Sequence, residues 1–191
     1  PREMALSFPK NFIWGVATSA FQSEGGGGRT DWDAFSKYRK SKPYHPGLIF
    51  QDIELAKSLG IQEIRISIEW SRIEPHEGEW NLKELDRYYE YALRMDSLGI
   101  KPFINLHHFS LPYWVAKKGG LESDEFPELF ARYTKHIAER FRPLHIRHWM
   151  TFNEPMVLIE MSYIEGLWPP HKKADIVAAN KAEWNLIEAH K

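Results

Sequence analysis

The 191-residue sequence contains no cysteine. That excludes disulfides, thiolate metal sites and thiol nucleophiles. It has no excess charge of either sign, since 25 Lys and Arg stand against 26 Asp and Glu for a formal net charge of −1. Nucleic acid and anionic membranes are therefore not expected as main partners. No apolar run approaches the roughly 20 residues that span a bilayer. The nine histidines form no clear metal-ligand set, so no metal site is expected. No motif asks for a cofactor. No secretory leader pattern opens the chain. Pro1-Arg2-Glu3 ahead of Met4 reads as an appended remnant, and residues 1–7 are expected to be such a remnant or a flexible N-terminus. A cytoplasmic location is the default expectation.

What is present fits one globular domain over residues 1–191, with 43% hydrophobic and 27% charged residues. Aromatic residues make up 14%, eight of them Trp, more than a core of this size usually needs. Such rings stack on the apolar faces of sugars, although core packing is their commoner use.

The order along the chain is strand, helix, four times over. Phe12 to Thr18 is a near-continuous apolar run, as in a strand buried on both faces. Gly25 to Gly28 follows Glu24 without the Lys-Ser/Thr of a phosphate loop, so it reads as a surface loop. Trp32 to Pro46 reads as a polar, irregular connection. Ile49, Ile53, Leu55, Ala56 and Leu59 recur at helical spacing up to Gly60. In the second strand, Glu63 to Ile68, Ile64, Ile66 and Ile68 alternate with Arg65 and Ser67. Its other face must therefore hold a charged partner or water. Asn81 with Glu84 resembles a capping box, and Leu82, Leu85, Tyr89, Ala92 and Leu93 give the next helix its apolar face before Gly99. Lys101 to His108 is the third strand. Phe126, Leu129, Phe130, Tyr133, Ile137 and Phe141 form one helical stripe, with Pro127 in its first turn. His148 to Phe152 is the fourth strand, Met156 to Lys173 a long loop, and the last helix begins near Ala174. This alternation implies α/β class and a parallel sheet with right-handed crossovers. An eight-unit TIM barrel takes about 250 residues, so the expected architecture is its first four βα units, a half-barrel. The last helix carries no stop signal at Lys191, so the chain is expected to be part of a longer one.

The residues at the strand ends carry the chemistry. Gln22, Arg65, His108, Asn153 and Glu154 all fall there, where parallel-sheet enzymes place their sites. A carboxylic acid near apolar walls can act as general acid, and amide, imidazole and glutamine groups can hold sugar hydroxyls. On the residues alone the alternatives stay open. Asn-Glu-Pro tripeptides more often start helices or turns. A lone Arg65 is more often a structural ion-pair partner, and His108 beside His107 is more often a hydrogen-bonded core or loop histidine. His145 and His148 sit on opposite faces if both lie in a strand. Trp70, Trp114 and Trp149 read as packing residues.

Several longer motifs change that balance. Phe8-Pro-Lys-Asn-Phe-Ile-Trp-Gly-Val-Ala-Thr-Ser-Ala-Phe-Gln-Ser-Glu-Gly25 resembles the opening signature of glycoside hydrolase family 1, the retaining β-glucosidases and β-galactosidases. Arg65-Ile-Ser-Ile-Glu-Trp-Ser-Arg-Ile73, Leu106-His-His-Phe-Ser-Leu-Pro112, Lys118-Gly-Gly120 and Thr151-Phe-Asn-Glu-Pro155 resemble later motifs of that family, in its order. The resemblance implies that Glu154 is the acid/base, that Asn153 binds the sugar 2-hydroxyl and that Gln22 and His108 bind other hydroxyls. It also implies that Arg65 sits beside the nucleophile. Two departures are visible. Phe109-Ser110 stands where the family usually has Trp-Asp, and the segment from Glu24 to Pro46 is short.

A larger departure concerns the nucleophile. The family's Glu-Asn-Gly nucleophile motif does not occur in these 191 residues. The expectation is the N-terminal half of a retaining β-glycosidase hydrolysing terminal β-linked sugars, supplying the acid/base, lacking the nucleophile, and inactive alone. Its expected partners are a β-linked sugar and either a complementary C-terminal half-barrel or a second copy. The alternative is a non-catalytic half-barrel module. It would self-associate through its open sheet edges and an exposed apolar inner layer, or bind sugar without turnover.

Overall fold

The protein is described by a computed structural model, which covers residues 7–26, 29–35 and 43–191. Expectations for residues 1–6, for Gly27 and Gly28, and for residues 36–42 lie outside the described residues.

Four parallel strands form one sheet in the order β1-β2-β3-β4: Gly15–Ala17, Glu63–Ser67, Lys101–Asn105 and His148–Met150. Sequential order with parallel pairing is what four consecutive βα units require. The helices in chain order are α1 (Ala20–Ser23), α2 (Asp31–Phe35), α3 (Leu48–Ser58), α4 (Trp70–Ile73), α5 (Leu82–Ser97), α6 (Tyr113–Lys117), α7 (Phe126–Phe141), α8 (Pro155–Ile159) and α9 (Ile176–His190). Asn81 caps α5, its side chain accepting from the Glu84 backbone N–H at 3.2 Å. Asp175 caps α9 by accepting from the Ala178 N–H at 3.0 Å.

The core lies between the sheet and α3, α5 and α7. Ile64, Ile66 and Ile104 point into it from the strands, and all six stripe residues of α7 are buried. Trp70 stacks on Tyr133 with centroids 4.8 Å apart. The Tyr133 hydroxyl reaches the Ile68 and Leu106 carbonyls at 3.2 and 3.0 Å. One core side chain thus ties together the C-terminal ends of β2 and β3, from which the site is built.

Period-2 alternation puts Glu63, Arg65, Phe103, Asn105, His148 and Met150 on the opposite, inner face. That face is not the apolar layer expected of an unrolled barrel. Glu63 pairs with His148 Nδ1 at 2.6 Å across Phe103, and Arg65 Nη1 lies 3.9 Å from the Met150 sulfur. Arg65 Nε is buried without a hydrogen-bond partner.

Other expectations need correction. The first strand is short and exposed rather than buried on both faces. Phe12, Ile13, Trp14 and Val16 are all solvent-accessible, because β1 pairs with β2 on one side and with no described strand on the other. Phe8, Phe12 and Trp14 cover one another instead, with centroids 4.5–4.7 Å apart. Leu55 in α3, Leu59 just after it, and Leu82 and Leu93 in α5 face solvent, while Tyr88, Tyr91 and Met95 join the expected Leu85 and Ala92 on the buried face of α5. Trp149 lies on edge strand β4 and is 37% exposed, so it is not a core residue. His145 precedes β4 in a left-handed turn, φ 49°, so strand alternation does not apply to it. The expected loop after Met156 begins with α8 and one π-helical stretch, Glu160–Ile164. Residues 31–35, expected to be irregular, form α2.

Candidate active site

The C-terminal ends of the strands open onto a cleft of about 390 Å3. Gln22 and His108 both line it. Gln22 is held on α1, its Oε1 accepting from the Ser19 hydroxyl at 2.6 Å. His108 follows β3, with Asn105 Nδ2 3.2 Å from its Nδ1 and Asn153 Nδ2 3.5 Å from its Nε2. Burial, with the charge of Arg65 adding to it, pushes the His108 imidazole down to about 4. It is therefore neutral near pH 7, with one ring nitrogen accepting and the other carrying the proton.

Asn153 is itself buried, and its backbone N–H continues the β3–β4 ladder to the His107 carbonyl at 3.0 Å. Glu154 comes next, exposed, with no side-chain capping bond, in the left-handed region at φ 44° and ψ 58°. A non-glycine residue with positive φ ahead of a proline is held there by its surroundings, and such residues concentrate at functional sites. Pro155 then opens α8, where a missing N–H costs nothing. The structure thus gathers Gln22, His108 and Asn153. Glu154 stands beside Asn153 rather than in the cleft lining, and Arg65 lies deeper on the inner face.

Aromatic rings build the cleft wall. Phe109 packs on Trp168 at 4.7 Å, Trp168 on Trp32 at 5.3 Å, and Trp32 on Phe21 at 6.1 Å. Trp32 and Trp168 escaped sequence reading because both lie in segments without hydrophobic period. Aromatic residues in stretches that otherwise read as polar loops were the available signal.

Four buried acids were also missed. Glu24 pairs with Arg72 at 2.6 Å, and Glu74 accepts from the Trp70 indole N–H at 2.9 Å. Glu69 caps α4 and accepts hydroxyls from Ser71 at 2.9 Å and Ser110 at 2.7 Å. Asp31 accepts the Leu111 and Trp32 backbone N–H groups at 2.9 and 3.0 Å. Each sits in a stretch where one acidic letter looks like a solvated surface residue. His107 is a core histidine packed edge-on against Phe130 and Phe152, and burial, with His108 adding, pushes it down to about 3.

Burial, opposed by the Leu111 N–H and reinforced by the Glu69 charge, pushes the Asp31 carboxyl up to about 8 from an ordinary 3.8. The folded chain keeps this proton through a range where the unfolded chain has lost it. Its contribution is fully present below about pH 4 and is lost as pH rises through 8. Asp31→Asn keeps the Oδ1 acceptor and removes the titration. Urea unfolding at pH 5, 6.5 and 8 is expected to show the variant gaining on the parent by up to about 1.4 kcal/mol per pH unit. A constant difference across that range would contradict it.

Comparison with known proteins bears on the family and the fold. The profile described as glycosyl hydrolase family 1 matches residues 4–191. β-Glucosidase A of Thermotoga maritima is 34% identical over 96% of this chain and 44% of its own length. A 6-phospho-β-galactosidase of Staphylococcus aureus is 32% identical over 98% of this chain and 42% of its own. Among solved structures, a β-glycosidase from Pyrococcus horikoshii superposes with a TM-score of 0.89 at 37% identity, covering 96% of this chain and 44% of that one. The Thermotoga maritima β-glucosidase in complex with glucoimidazole gives 0.86 at 34% identity. The chain therefore spans under half the length of these relatives, and its four units match the first half of a TIM barrel. With the whole described sheet and the motifs from Phe8 to Pro155 accounted for in this way, the chain belongs to glycosyl hydrolase family 1.

Proposed function

We propose that this chain supplies the acid/base side of a retaining β-glycosidase acting on terminal β-linked sugars. The observation that carries the reading is the junction of β4 and α8. It presents Glu154 to solvent directly beside Asn153, which approaches His108 in the cleft wall. In this reading Glu154 protonates the leaving oxygen and later activates water. Asn153 holds the sugar 2-hydroxyl, and His108 and Gln22 bind further hydroxyls of the same ring. Trp32, Phe109 and Trp168 cover its apolar face.

A retaining mechanism also needs a second carboxylate about 5–5.5 Å from the first. Arg65 supports the view that it comes from outside these residues. Its guanidinium has a buried, unpartnered Nε and no carboxylate among its described partners. A complementary C-terminal half-barrel is the proposed source, in a cytoplasmic setting. Both sheet edges favour association. Apolar side chains are exposed at Phe12, Ile13 and Trp14 beside β1, and at Trp149, Met156 and Ile187 beside β4. The same edges favour the second reading, a half-barrel that self-associates or binds sugar without turnover.

Assay of the 191-residue chain with a nitrophenyl β-glucoside distinguishes these. The expected result is no turnover by the chain alone, and turnover after mixing with the C-terminal half of a family member. Activity of the chain alone matching an intact family member would overturn the claim that it lacks a nucleophile. Failure of every mixture to turn over would favour the non-catalytic module.

A further inference from the structure

The turn between β3 and α6 contributes three consecutive residues to the cleft: His108, Phe109 and Ser110. Both ends of this turn are anchored by backbone. Upstream, the His107 carbonyl accepts the Asn153 N–H at 3.0 Å, and the His107 N–H reaches Asn105 Oδ1 at 3.3 Å. Downstream, Asp31 and Leu111 bond to one another in both directions, and Tyr113 N–H donates to the Arg29 carbonyl at 2.7 Å.

Between those anchors Phe109 takes φ 71°, a backbone region that L side chains avoid. Something must hold it there. The Ser110 N–H closes back on the His108 carbonyl at 2.9 Å. The side-chain tether is the Ser110 hydroxyl, which donates to Glu69 Oε2 at 2.7 Å. Glu69 is buried at the start of α4, immediately after β2, and its other oxygen accepts from Ser71. It is thus a fixed acceptor projecting from one strand end onto the turn of the next.

We infer that Glu69 is a positioning residue, whose carboxylate holds Ser110 and through it the orientation of His108 and Phe109 in the cleft wall. The geometric part of this stands on the hydrogen bonds above. Its consequence for ligand binding rests on the function proposed above. Substitution by an apolar residue leaves the Ser110 hydroxyl without its acceptor in Glu69, so the turn is expected to relax away from positive φ. His108 then loses its alignment with Asn153.

The pairing is reversible in chemical terms, which makes it testable. A glutamate at position 110 and a serine at position 69 keep the combined side-chain length and can form the same contact with donor and acceptor exchanged. The readouts are the Cε1–H resonance of His108, assigned by its disappearance in His108→Gln, and glucoimidazole binding by calorimetry. Glu69→Ala and Ser110→Ala are each expected to shift the His108 resonance and weaken glucoimidazole about tenfold. Ser110→Ala removes a single hydroxyl and keeps the test valid if Glu69→Ala does not fold. Glu69→Ser and Ser110→Glu are each expected to disturb both readouts. The double variant Glu69→Ser/Ser110→Glu is expected to return them toward the parent. A His108 resonance unmoved in folded Ser110→Ala, or a double variant no better than its two singles, would overturn the inference. If the parent complemented with a C-terminal half-barrel does not bind glucoimidazole, the sugar-site reading fails while the resonance shifts still decide the positioning role.

Discussion

Glu154→Gln is expected to lower kcat/KM for a nitrophenyl β-glucoside by about 10²–10⁴-fold in the complemented barrel. The substitution keeps the shape of the side chain and removes its proton. Glu154 is exposed and makes no side-chain capping bond, so the variant is expected to fold with an unchanged melting temperature. The loss is therefore assigned to chemistry. Asn153, which is buried and lies 3.5 Å from His108, is untouched, and glucoimidazole affinity is expected to change far less than turnover. An equal loss in binding and turnover would move Glu154 from acid/base catalysis to ground-state recognition.

Arg72→Met is expected to have the largest effect on stability, about 3–5 kcal/mol. The Arg72–Glu24 pair is nearly dry, with side-chain exposures of 7% and 2%. Arg72 also donates to Tyr88 at 2.9 Å and to the Gly25 carbonyl. Burial already pushes the Glu24 carboxyl up, and Arg72 and Arg87 hold it back. Without Arg72 the carboxyl is raised further and takes up a proton as the chain folds. By linkage, the variant's deficit grows as pH rises and shrinks as pH falls. Urea melts at pH 5 and pH 8 test both magnitude and sign. The double variant Arg72→Met/Glu24→Leu is expected to recover part of the loss, because Glu24 is then no longer a buried carboxylate without its main partner. Glu24 closes α1, which carries Gln22, so the same variant is expected to weaken glucoimidazole binding.

The parts of the fold legible in the sequence were those where one residue's neighbours in space are its neighbours in period. The stripe from Phe126 to Phe141 is buried in full, and Asn81 caps its helix as its spacing with Glu84 predicts. The alternation of Ile64 and Ile66 with Arg65 reported two differently filled faces. Burial of the first strand was misread for a physical reason. An apolar run states what a segment prefers to be covered by, and β1 has a described neighbour on one side alone. The π-helical stretch after α8 leaves no 3.6-residue stripe, so period analysis cannot register it.

The site was partly legible for the same reason. Gln22, His108 and Asn153 lie in local motifs at strand ends, and they meet because parallel strands bring those ends to one side. Trp32 and Trp168 meet across 136 positions, and Glu69 meets Ser110 across 41. Neither pairing has a local signature, so only the folded sheet reveals them.

The most direct test of the central claim, that Glu154 is the proton donor, is the leaving-group dependence of the complemented Glu154→Gln variant. Initial rates under kcat/KM conditions are measured for aryl β-glucosides whose phenols span a wide range of acidity. A steep slope is expected. Dinitrophenyl glucoside, whose phenolate departs without protonation, would be nearly spared, and poorly acidic phenols would show the full loss. A uniform loss across all leaving groups would contradict it.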